Sequence, residues 1–297
     1  MHSYLRTIGF SDIQNKKELN SILDSIVENY DEKIITTVEE NHVFGEYYKY
    51  YGHGFGIAVC GEFDENDEFQ REYYFPFSRG SCISTQENIT VEKHAGKDSF
   101  AGACDDVRVG VSIIFYLQNA GEYLKELSKN VIPSANVSLS LSALAQSATI
   151  LLLIKKDDKI QQQNKEISSK RNRLLNAAKN GDEEAIENLT MEDIDIYSMI
   201  SRRIADEDVY SIVDNYFMPF GMECDQYQLM GEIVSVEECK NNYTQEDVYM
   251  MELECNNIQM DVIVNKKDLL GEPQVGRRFK GSVWLQGYIN FKLFSII

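Results

Sequence analysis

Reactive side chains crowd one segment of this 297-residue chain, HAGKDSFAGACDDVRVG, from His94 to Gly110. Cys104 and His94 stand ten residues apart there, a spacing that lets them meet across a hairpin. Such a pair does nucleophilic chemistry, because a nearby imidazole favours the thiolate. His53 lies between glycines in YYGHGFG. It offers a general base or a ligand, and a simple hairpin turn residue is the competing reading. Cys60, Cys82 and Cys104 together with His94 have the residue types of a zinc site. They lack the close pairs, such as CxxC, that structural zinc takes. The chain carries no P-loop, GxGxxG, HExxH or GxSxG motif. No cofactor and no metal is therefore expected, and an enzyme with a Cys-His site is the second reading of function, not the first.

Binding chemistry has two candidate stretches. RRFKGSVWLQGYINF places Arg277, Arg278 and Lys280 beside aromatics that include Trp284. A positive groove with stacking rings is how OB barrels hold single strands. Charge argues against it. The net charge is -19, and Met230 to Ile297 holds ten acids against seven bases, a field that repels phosphate backbones. Arg277 and Arg278 are adjacent, so a strand points them to opposite faces. Trp284 then fills a core, and Gly281 and Gly287 let strands bend. The second stretch, EYYKYYGHGF, carries Tyr47 and Tyr50. Rings on an outer sheet face make a protein-binding surface, since tyrosine is enriched at interfaces. Rings on the inner face only pack.

Helical spacing of Leu19, Ile22, Leu23 and Ile26 predicts a helix over 15–30. KIITTVEE, FGEYYKYYGHGFGIAVCGEF and EFQREYYFPF are rich in β-branched and aromatic residues and read as strands and hairpins. NITVEKH and DVRVGVSIIFYLQNA continue the pattern, and AGEYLKELSKN reads as a short helix. Asn130 to Ile154 carries no charge. Its VSLSLSAL portion alternates with period two, which favours a strand with one buried face over a membrane span. TILLLI reads as a second, fully buried strand paired with it.

From Lys155 to Lys179 there are eight basic and three acidic residues; from Asp182 to Asp208, two basic and ten acidic. A basic helix folded beside acidic ones is the simplest reading, with Asn180-Gly181 as the stop, Asp182 as a cap and Thr190 opening a capping box. A basic arm for a partner is the other. YQLMGEIVSVEEC, DVYMMELEC, IQMDVIV and RRFKGSVWLQGYINF complete a strand-rich end, with Asn256-Asn257 as a hairpin turn.

The expected fold class is α+β: an antiparallel-sheet domain over 1–155, a helical connector over 156–222, and a small OB-like β-barrel over 223–297. The six cysteines are scattered and no signal peptide is read ahead of them, so reduced thiols and a cytoplasmic location are expected.

MHSYLRTIGFSDI, EDVYSIVDNYFMPFGMECDQYQLMGEI and NKKDLLGEPQVGRRFKGSVWLQGYINF together resemble an uncharacterised domain-of-unknown-function family of Gram-positive anaerobic bacteria. The resemblance spans the whole chain. It implies a bacterial, cytoplasmic protein and brings no activity, catalytic residue or cofactor. The leading expectation for function is a non-enzymatic interaction or regulatory protein with a protein partner. Nucleic-acid binding through the OB-like module is the third reading, and no membrane association is expected.

Overall fold

Asn15 opens the first helix by accepting the Glu18 amide at 2.8 Å, the usual way to satisfy a bare N–H at a helix start. The helix, α1 (Lys16–Glu28), buries Leu19, Ile22, Leu23 and Ile26 along one face. The computed structural model describes residues 2–13, 15–39, 42–93, 99–106, 108–128, 137–152, 170–171, 173–178, 180–203 and 209–291. Ahead of α1, Ser3–Ile8 forms a 3-10 helix that ends at Gly9, with φ of 87°.

Four strands follow: β1 (Glu32–Glu39), β2 (His42–Gly52), β3 (Phe55–Phe63) and β4 (Phe69–Ser78). They pair antiparallel in chain order. The β3–β4 turn is built by Asp64, whose Oδ1 accepts the amides of Asn66 and Glu68, an Asx-type turn.

A second, ten-stranded sheet takes β5 (Ile89–Lys93), β6 (Phe100–Cys104), β7 (Ile113–Leu117) and β8 (Val137–Leu151). Its later strands are β9 (Tyr216–Pro219), β10 (Gln226–Lys240), β11 (Asp247–Cys255), β12 (Ile258–Asn265), β13 (Leu269–Leu270) and β14 (Arg278–Phe291). The order is β13-β8-β12-β11-β10-β14-β7-β6-β5, with β9 on β10 and a further pairing of β8 with β14. Pairings thus run from β8 through β12, β11, β10 and β14 back to β8. The sheet crosses the bounds drawn from the sequence, since β5 to β8 precede residue 155 and β9 to β14 follow it.

Two strand expectations are corrected. VSLSLSAL and TILLLI do not form a hairpin; β8 is one strand of fifteen residues. Ser138, Ser140 and Ser142 are as buried as Leu139 and Leu141, because both faces of β8 are covered. The hydroxyls survive burial through hydrogen bonds: Gln118 Nε2 donates to Ser142 Oγ at 3.1 Å, and Asn290 Nδ2 to Ser140 Oγ at 3.0 Å. Of TILLLI, Thr149, Ile150 and Leu151 are half-buried rather than fully buried and Leu152 is exposed, while Leu153 and Ile154 lie outside the described residues. Likewise the C-terminal aromatic run is a single strand, β14, whose two edges hold β10 and β8. The β11–β12 turn has φ of 51° at Asn256 and 60° at Asn257, the left-handed pair that a tight hairpin needs.

The helix α2 (Ala120–Ser128) links β7 to the region before β8. The helix α3 (Glu183–Arg203) runs unbroken through Thr190. Thr190 does not open a capping box; its hydroxyl bonds back to the Ile186 carbonyl at 2.8 Å inside the helix. Asp182 does cap, accepting the Ala185 amide at 3.1 Å. Arg171 meets Asp193 at 2.5 Å and Glu192 at 3.6 Å, so basic and acidic segments do lie together.

One hydrophobic cluster joins the two sheets and α1, from Leu23 through Phe55 and Phe77 to Phe115, Leu141 and Leu285. Phe115 shows how tightly β7 seats against β6 and β14. A Cβ at Gly102 would fall 2.1 Å from its ring, and one at Gly287 2.3 Å. Only glycine allows that approach.

Candidate functional site

Trp284 lies in β14 and is 4% exposed. It forms the floor of a cavity of about 680 Å³. Five other parts of the chain close around it: His2, Ser3 and Tyr4 at the start, Glu72 to Phe75 on β4, Ser99 just ahead of β6, Tyr116 on β7, and residues 222–226 leading into β10. Each is pinned. The N-terminal segment is tied to the β10–β11 turn by Asn241 Nδ2 donating to the Ile8 carbonyl at 2.7 Å and Thr244 Oγ1 to that of Gly9 at 2.6 Å. Arg6 forms a two-point ion pair with Asp268 at 2.6 and 2.8 Å. The 222–226 segment turns at Gly221, with φ of 89°. It is held where the Phe220 amide donates to the Gln226 carbonyl at 2.9 Å.

Inside, Trp284 Nε1 donates to Asp225 Oδ2 at 2.7 Å, and the Leu285 amide donates to the Asp225 carbonyl at 2.9 Å. Rings surround the indole: His2 at 4.8 Å, Tyr116 at 5.0 Å and Tyr4 at 5.2 Å between centroids. The His2 amide donates to the Tyr74 hydroxyl at 2.8 Å. Asp225 is buried, whereas Glu72 and Glu223 are exposed. Among the described residues that line the cavity none is lysine or arginine. The Tyr4 hydroxyl registers the resulting field: burial first, then the charges of Asp225 and Glu223, push it up to about 12. Beside this wall the chain exposes Met218, Phe220 and Met222, the last of them fully.

A second aromatic cluster lies between the sheets. The Arg79 guanidinium sits 4.5 Å from the Tyr288 ring, 4.8 Å from Tyr48 and 5.1 Å from Phe77. Glu32 lies 3.6 Å from it, and Glu46 is fully buried close by. Glu46 Oε2 accepts the Gly121 amide at 3.0 Å, near the start of α2. Burial pushes Glu46 up to about 7, against the opposing pull of that amide, the Tyr48 hydroxyl and Arg79. The Tyr48 hydroxyl lies 3.0 Å from Glu46 and 2.7 Å from the Gln118 carbonyl. With one proton for two acceptors, a protonated Glu46 frees it to serve Gln118. Among the described residues Glu46 Oε1, Ser78 Oγ, Arg79 Nη1 and Gln118 Oε1 are buried here without a hydrogen-bond partner.

Over residues 5–287 the sequence matches the family described as "Domain of unknown function, E. rectale Gene description (DUF3881)". The chain belongs to this family. No curated protein and no solved structure matches it. The DUF3881 match takes in every wall of the cavity except His2, Ser3 and Tyr4.

In this DUF3881 chain the residues singled out from the sequence scatter. Trp284 is at the cavity, but Arg277, Arg278 and Lys280 are not. Arg277 donates to the Glu272 carbonyl, Arg278 to those of Leu152 and Val213, and Lys280 to the Tyr210 hydroxyl. Tyr47 is 3% exposed and packs edge-on to Phe69 at 4.7 Å. Tyr50 is half-buried, with its hydroxyl on Glu32 and Arg79. His53 is exposed in the turn between β2 and β3. Cys104 is 1% exposed, and burial followed by the charges of Asp106 and Glu87 pushes its thiol up to about 12. His94 lies outside the described residues. Among the described residues no three His, Cys, Asp or Glu side chains are placed to hold a metal, and no helix is long and apolar enough to cross a membrane. Sequence reading passed over His2, Tyr4, Asp225 and Arg79. Tyr73 and Tyr74 were visible only as strand aromatics, and Asp225 sits in ECDQY with no motif around it.

Proposed function

We propose that this DUF3881 chain is a non-enzymatic interaction protein that docks a protein partner at the Trp284 cavity. The observation that carries the reading is a walled aromatic cavity with Met218, Phe220 and Met222 exposed beside it. Interfaces concentrate aromatic rings and methionine in this way, and clustered exposed apolar side chains mark contact sites. A nucleophilic enzyme gains no support, because a thiol held near 12 supplies almost no thiolate at neutral pH.

The return of strand pairings from β14 to β8 supports an OB-like barrel in which β8, not a strand of 223–297, supplies the fifth member. Nucleic-acid binding gains nothing from it, since Arg277, Arg278 and Lys280 are spent on carbonyls and a tyrosine. Six free cysteines favour a reducing compartment such as the cytoplasm.

The test is a photo-crosslinking residue placed at Met222 in native extract treated with nuclease. A single protein adduct is expected, lost when Phe220→Asp is added. An adduct that needs nucleic acid, or no adduct, would overturn the reading.

A further inference from the structure

The geometry points to an arginine side chain of the protein partner as the group that enters the Trp284 cavity. The inference rests on the reading of this cavity as a docking site and adds the chemistry of what docks.

The cavity offers two things to a ligand. One is aromatic faces: His2, Tyr4 and Tyr116 stand 4.8 to 5.2 Å from Trp284, with Tyr73 and Tyr74 on the β4 wall. The other is negative charge from Glu72, Glu223 and Asp225, with no lysine or arginine among the described lining residues. Ring faces attract cations, and indole does so best. An anionic group, a phosphate included, meets three carboxylates. A neutral apolar group gains nothing from that charge.

The same fold already seats one guanidinium in such surroundings. Arg79 lies over Tyr48, Phe77 and Tyr288, with Glu32 at 3.6 Å and Glu46 beside it. Rings on the flat faces and carboxylates at the edge suit a planar, weakly hydrated cation better than a compact ammonium. The Trp284 cavity repeats that composition without a guanidinium from its own described walls.

A free small cation is the less fitting occupant. A volume of about 680 Å³ is several times what a guanidinium needs. Met218, Phe220 and Met222 are exposed on the segment that leads into the 222–226 wall. A side chain carried on a peptide uses both, with the cation inside and its apolar neighbours on these three residues.

Trp284 is the only tryptophan in the chain, so intrinsic fluorescence reads the cavity floor directly. Two pools of capped pentapeptides are titrated, randomised except at the centre, which is arginine in one and its neutral isostere citrulline in the other. Free arginine amide is the third probe. The arginine pool is expected to shift Trp284 emission saturably, at least tenfold more tightly than either of the others. The double variant Glu72→Gln, Glu223→Gln, which alters exposed side chains, is expected to erase most of that preference while leaving the unfolding midpoint in place. Equal response to arginine and citrulline, or none to either, overturns the arginine inference. Equal response to free arginine amide overturns the peptide source. The adduct at Met222 reports separately on whether a protein docks there at all.

Discussion

Arg79 and Trp284 each stand among aromatic rings and carboxylates, yet the two places are built differently. Around Arg79 the cation comes from the chain, the rings belong to β2, β4 and β14, and Glu46 is sealed at 0% exposure. Around Trp284 the carboxylates Glu72 and Glu223 are exposed and no lysine or arginine is among the described lining residues. The first is a joint between two sheets. The second is an acidic cavity whose outer carboxylates reach solvent. The difference teaches that two places of like ring-and-carboxylate composition differ in the burial of their carboxylates and in whether the chain itself supplies a guanidinium; the proposed docking role of the second rests on that difference.

The comparison breaks first at Arg79. Arg79→Ala removes a cation packed against three rings and paired with Glu32, and truncating a large side chain at such a packed joint costs about 3 kcal/mol or more. Urea unfolding at pH 7 measures it. A loss below about 1 kcal/mol, the range of exposed pairs, would make the Arg79 cluster no more structural than the Trp284 one.

Glu46 gives the next effect. Below pH 4.5 its carboxyl is protonated in both folded and unfolded chains. Between 4.5 and about 7 the folded protein keeps a proton that the unfolded chain releases. Stability from this group therefore falls as pH rises through that window and stays lost above it. The full effect is about 3 kcal/mol, from a change of roughly 2.5 pKa units at 1.36 kcal/mol each. Glu46→Gln keeps an acceptor for Gly121 and Tyr48 and removes the titration. Unfolding free energies of both proteins at pH 5 and pH 8 should show wild type losing about 2–3 kcal/mol relative to the variant; parallel pH curves would refute the assignment.

Trp284→Phe is expected to cost less, about 2 kcal/mol, through the lost Nε1 bond to the Asp225 carboxylate. It should also weaken arginine-peptide binding, followed by anisotropy of a labelled peptide. A variant that unfolds like wild type and binds like it would place the indole outside the site.

Thiol labelling sharpens the contrast with the smallest perturbation. Cys224, exposed on the cavity wall, should react with iodoacetamide at pH 7.5 well before Cys104, whose burial and acidic neighbours oppose the thiolate. Bound arginine peptide should slow Cys224 alone. Rapid labelling of Cys104 would revive the nucleophile reading.

Much of the local structure was legible in the chain. The 3.6-residue spacing of Leu19, Ile22, Leu23 and Ile26 marked α1, and Asn256-Asn257 marked the β11–β12 turn, because both signals are local. The alternation in VSLSLSAL misled, since buried serines are affordable only beside Gln118 and Asn290, residues distant in sequence. The tyrosines of EYYKYYGHGF were legible as sheet residues but not as to which face holds core. Of the cavity, only Trp284 stood out, and it was read as core filling.

The sequence by itself determined the α+β class, the strand-rich ends, the strong acidity and the family to which the chain belongs. Periodicity, turn residues and composition are properties of neighbours in the chain, so they can be read there. Tertiary structure alone decided that β8 joins β12 and β14, that Arg79 is enclosed by Tyr48, Phe77 and Tyr288, and that His2, Tyr74, Tyr116, Asp225 and Trp284 share one cavity. Those groupings draw on residues separated by as many as 282 positions, from His2 to Trp284. They depend on long-range packing free energy, which no local pattern encodes.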